Sequence, residues 1–143
     1  MLMRNLGVAI SSLALATTAS AQTFTPPADT TGLTPIKGQI TSVQSVRIPL
    51  GDAVTGSETR VTLRFRLQGC LDELMPLISH TEVRGDRATF YITALNAHTR
   101  RSTAATCIAM PQATAQVSVP GIFQRNQIRV VFLGQQRQPT PSQ

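Results

Sequence analysis

The sequence predicts an all-β domain, an antiparallel two-sheet sandwich of about seven short strands with one short helical turn. Three observations predict it: segments in which apolar and polar residues alternate at period two, turn residues recurring between them at short intervals, and hardly any helical periodicity. The clearest segment is "ETRVTLRFRLQGC", in which Val61, Leu63, Phe65 and Leu67 share one face while Arg60, Thr62, Arg64 and Arg66 share the other. One side of this strand is core and the other is wetted. The parity changes before Cys70, so Gly69 is the expected place of a bulge that turns the sulfur inward.

The other elements follow along the chain. Ahead of the clearest strand, "IKGQITSVQSVRIPL" supplies a first strand whose register the pattern leaves open, with Pro49 ending it or confining it to an edge. After Cys70, "LDELMP" places Leu71, Leu74 and Met75 at helical spacing, and Pro76 limits the run to about one turn. "LISHTEV" and "RATFYITAL" then flank Gly85-Asp86, the chemistry of a tight hairpin in which the first or both central residues take positive φ. Phe90, Ile92 and Ala94 share one face of the returning strand, and Tyr91 and Thr93 the other. The tripeptide Arg84-Gly85-Asp86 therefore stands where a hairpin needs turn residues, and a two-residue turn offers little extended loop for an adhesion receptor. "STAATCIAM", "ATAQVSV" and "NQIRVVFL" complete the set, with Pro120-Gly121 marking the last turn.

The first 21 residues have the parts of a secretory signal: Arg4, an apolar run from Leu6 to Ala16, and Ala19-Ser20-Ala21 before a cut. A mostly apolar run of eleven residues is too short to cross a bilayer, so the expectation is removal, with no stable membrane anchor afterwards. The expected organisation is a signal over 1–21, a disordered linker over 22–35, a β-sandwich domain over 36–134 and a disordered tail over 135–143. The linker and tail are rich in Thr, Pro and Gln and have little to bury. Thirteen Lys and Arg, less Arg4, leave twelve against seven acids, so the processed chain carries about +5. In a periplasmic or secreted protein such a balance points away from nucleic acid and toward anionic envelope polymers or acidic partners.

Cys70 and Cys107 are the only cysteines, and in an oxidising compartment they are expected to pair. Closing that loop is worth about 4 kcal/mol in the chain-entropy model. The predicted architecture resembles the immunoglobulin sandwich in outline only. The chain has no tryptophan to bury against the disulfide, and the cysteines fall at the end of the second predicted strand and on the fifth.

Catalytic motifs are absent. There is no G-x-S-x-G or H-E-x-x-H, and the neighbours Ser79 and His80 point to opposite faces of a strand. Asp72 and Glu73 suit a turn or cap. The sequence thus predicts no enzyme and no cofactor, and two binding readings remain. In the first, the stripe Arg60, Arg64 and Arg66 grips a protein or an anionic envelope polymer, since guanidinium forks match phosphate and carboxylate. In the second, His80, His98, Cys107 and Met110 hold copper, chosen from a pool of possible ligands that also includes Cys70 and Met75.

Overall fold

The computed structural model describes residues 24–49, 51 and 55–135, so the expected signal and nearly all of the expected tail lie outside the described residues. The elements in order are β1 (Thr30–Pro35), β2 (Gly38–Pro49), β3 (Thr55–Arg66), β4 (Glu73–Leu74), β5 (Ile78–Arg84), β6 (Arg87–Thr93) and β7 (Leu95–Thr99). There follow α1 (Arg100–Ala104), β8 (Gln112–Pro120), a 3-10 turn over Arg125–Gln127, and β9 (Ile128–Phe132).

The expected all-β sandwich is what forms. One layer is β2-β3-β8, antiparallel throughout. The other is centred on β6 and on β7, which follows it after Ala94 alone, giving sheets β5-β6-β9 and β1-β7-β4. Between the layers, Val61, Leu63 and Phe65 of β3 and Val119 of β8 meet Ala88, Phe90 and Ile92 of β6, all essentially without solvent exposure. The period-two reading of β3 and of β6 holds residue for residue. Phe65 meets Phe132 of β9 edge to face at 5.8 Å between ring centroids.

Local chemistry explains the register. In β2 the core-facing residues Ile40 and Val43 are three apart, and a bulge between Ile40 and Ser42 reconciles that spacing with β3. Gly38 sits under Phe65, whose ring would lie 2.7 Å from any added Cβ. At the hairpin, Arg84 pairs with Arg87, Gly85 takes φ +60°, and Asp86 stays at negative φ, so only the first central residue uses the left-handed region. Buried Thr59 fixes the final turn, its hydroxyl donating to the Gly121 carbonyl at 2.8 Å and accepting from Phe123 N at 2.9 Å. From there the chain crosses to the other layer, and β9 arrives parallel to β6.

Several local expectations are corrected. "LDELMP" forms no helical turn; Asp72 N donates to the Gly69 carbonyl in a tight turn, and Glu73 and Leu74 then pair with β7. Pro76 has no N–H to continue a helical ladder, and β7 supplies Glu73 and Leu74 with strand partners instead. Gly69 makes no bulge; it is small because the Asp72 carboxylate stands 2.5 Å from where its Cβ would be. "STAATCIAM" is not a strand: Arg100–Ala104 is helical, capped by the Thr99 hydroxyl that accepts from Ser102 N, and Cys107 lies beyond it outside any strand. Thr30–Pro35, expected within the linker, is strand β1, which satisfies its backbone against β7 while exposing Leu33.

Candidate functional site

The disulfide forms as expected, with Cys70 and Cys107 Cα atoms 5.8 Å apart. It fastens the turn after β3 to the segment after α1 rather than joining the facing sheets, a further departure from the immunoglobulin pattern. Beside it lies a polar cluster that the sequence did not announce. The Asp72 side chain is wholly buried and accepts from Asn96 Nδ2 at 2.8 Å, His98 Nδ1 at 2.9 Å and Thr99 N at 3.3 Å. Burial pushes its pKa up, but hydrogen bonds from Asn96, Ser102, His98 and the Thr99 backbone outweigh that and hold it at about 2. Thr99 Oγ1 donates to the Leu71 carbonyl, Ser102 Oγ accepts from Leu71 N, and Asn96 Oδ1 accepts from Gln68 N. The cluster therefore latches the 68–72 turn to β7 and α1.

Thr103 Oγ1 stands 3.5 Å from His98 Nε2, so Asp72, His98 and Thr103 imitate the order of a carboxylate, base and hydroxyl set. That last separation is at the outer limit of a hydrogen bond, and every bond to the carboxylate serves the latch.

The copper set is not brought together. Cys107 has its sulfur in the disulfide, so it offers no thiolate. His80 lies on β5 opposite Tyr91, against which its ring stacks at 6.3 Å, whereas His98 is seven residues farther along the β6–β7 run, about 23 Å at the usual strand rise. Met110 is half-exposed in the segment leading to β8. Among the described residues no three His, Cys, Asp or Glu side chains cluster as a metal site would require.

The arginine stripe divides in two. Arg60 Nε is 2.6 Å from Glu58 Oε1, so that end is internally paired. Arg64 and Arg66 meet no carboxylate at ion-pair distance among the described residues. The register sets Gln39 and Thr114 on either side of Arg64, and Gln112 beside Arg66. Lys37, just ahead of β2, joins Gln39, Arg64, Arg66 and Gln112 in lining a shallow concavity of about 210 Å³. Two guanidinium forks about 7 Å apart on one strand, an ammonium and two primary amides make a surface rich in donors and free of lining carboxylates. Sequence reading found the arginines through alternation. It missed Lys37, Gln39 and Gln112, whose place beside them depends on strand register. No helix of the described residues is long and apolar enough to cross a membrane. No family model, curated protein or solved structure matches this chain.

Proposed function

We propose that this chain is an exported binding protein that holds an anionic envelope or extracellular polymer on the Lys37, Arg64 and Arg66 face, acting by binding rather than by catalysis. The observation that carries this reading is the contrast within one strand: Arg60 has its own glutamate, while Arg64 and Arg66 border a concavity with another cation and no carboxylate. Such a surface attracts phosphate, sulfate or carboxylate groups at long range and then fixes them by paired hydrogen bonds. Gln39 and Gln112 supply donors and acceptors for the hydroxyls of a sugar polymer. A leader sequence and an intramolecular disulfide support an address in an oxidising compartment, periplasmic or outside the cell.

The test is elution from an anionic polysaccharide matrix in a salt gradient. Arg64→Gln with Arg66→Gln is expected to bring elution to clearly lower salt, because a protein that neutralises fewer anionic groups releases fewer counterions on binding. Arg60→Gln, removing an arginine already paired, is expected to shift it little. A shift for Arg60→Gln half as large as that of the double variant, equal per charge removed, would reduce the reading to net charge, and no shift for the double variant would end it.

A further inference from the structure

The outer surface of the opposite layer carries a second cationic concavity. The register of β5, β6 and β9 places Arg84 against Arg87, Glu82 and Arg129 on either side of Thr89, and His80 and Val131 on either side of Tyr91. Glu82, Arg84, Arg87, Thr89, Tyr91 and Arg129 line a hollow of about 280 Å³. Glu82 lies 3.8 Å from Arg84 and 3.9 Å from His80, while Arg87 and Arg129 meet no carboxylate at ion-pair distance among the described residues. The ring of Tyr91, braced by His80, adds an apolar plane of the sort that sugar rings cover.

The two hollows face opposite ways, and strand alternation dictates this. Arg64 and Arg66 alternate with the buried residues Leu63 and Phe65, and Thr89 and Tyr91 alternate with Ala88, Phe90 and Ile92. Those inward side chains meet in one core, so the outward ones must leave on opposite sides. Sheets stack about 10 Å apart, and outward arginines add their own length on each side. The separation exceeds the screening distance of about 8 Å at physiological ionic strength, so filling one hollow leaves the attraction of the other intact.

We infer that the protein is bivalent and bridges two strands of an anionic polysaccharide, one on each face of the sandwich. The inference rests on the binding reading for the first face and adds a second site, with Arg87, Arg129 and Tyr91 as its principal groups. Bridging follows from multivalency: a long polymer joined through two-sided protein forms a network, whereas one-sided protein only coats it.

The experiment mixes full-length processed protein with dextran sulfate and follows light scattering over a range of protein-to-polymer ratios, with binding measured separately by sedimentation. Wild type is expected to raise scattering severalfold at intermediate ratios, with a fall when protein is in excess. Arg64→Gln/Arg66→Gln and Arg87→Gln/Arg129→Gln are each expected to bind the polymer without raising scattering. Arg60→Gln/Arg100→Gln, which removes the same charge but spares both hollows, is expected to bridge like wild type. Circular dichroism of each variant checks that it is folded. Wild type that binds without bridging overturns the inference and leaves the binding reading standing, whereas wild type that does not bind overturns both. Bridging by either single-face variant, or its loss in the charge-matched control, also overturns bivalency.

Discussion

Replacing Asp72 by asparagine changes little in the side chain except its charge, and the surroundings are built for that charge. The carboxylate accepts from Asn96 Nδ2, His98 Nδ1 and Thr99 N with no solvent exposure of its own. An amide brings one oxygen and one NH2, and the NH2 must point at a donor whichever way it turns. At least one buried donor is stranded, at about 1–3 kcal/mol each, so Asp72→Asn is expected to cost roughly 2–4 kcal/mol at neutral pH. Acid gives a second reading of the same group. The folded pKa of about 2 lies below the ordinary 3.8, so the stabilisation is complete above pH 4 and is lost as pH falls through about 2. Its size is roughly 2 kcal/mol, and the variant should lack this portion of the acid response. Urea unfolding followed by circular dichroism at a series of pH values measures both. A variant within about 0.5 kcal/mol of wild type at pH 7, or one losing stability between pH 4 and 2 as wild type does, would refute the argument.

Three further outcomes are expected. Cys70→Ser with Cys107→Ser should lower unfolding free energy by about 4 kcal/mol, because the bond closes a loop with a sequence separation of 37; a loss under about 1 kcal/mol would contradict it. Thr59→Val strands Phe123 N and the Gly121 carbonyl at the turn into the last strand, costing about 1–3 kcal/mol in the same unfolding assay, with Thr59→Ser retaining most of the stability. The purified protein should hydrolyse an activated aryl ester no faster than buffer. Turnover that Thr103→Ala abolishes in a folded variant would make the Asp72, His98 and Thr103 arrangement catalytic and displace the binding account.

What sequence reading could reach depended on whether the signal was local. Val61 to Leu67 and Phe90 to Ala94 were legible because burial on one face imposes period two on neighbouring residues. Gly85-Asp86 was legible because a tight hairpin needs positive φ at its first central residue. The pairing of Cys70 with Cys107 needed only an oxidising address and the absence of any other cysteine. By contrast, β1 is held by backbone bonds to β7, which leave no mark on a Thr- and Pro-rich segment. The parallel docking of β9 on β6 was hidden as well, since alternation is the same in either direction. Asp72 resembled an ordinary turn residue because its partners lie 24 to 27 residues away, on β7. The basic hollow was half legible: Arg64 and Arg66 follow from alternation, while Lys37, Gln39 and Gln112 join them only once the bulged register of β2 and the pairing of β8 are known.

The most direct test is an NMR titration of the wild-type protein with a short sulfated oligosaccharide, following backbone amides and arginine Nε–H signals. Saturable shifts at Arg64, Arg66, Lys37 and Gln112, with Arg60 nearly unmoved, are the expected result. Shifts that avoid this face, or that gather instead at the disulfide end around Leu71 and Ile108, would contradict it.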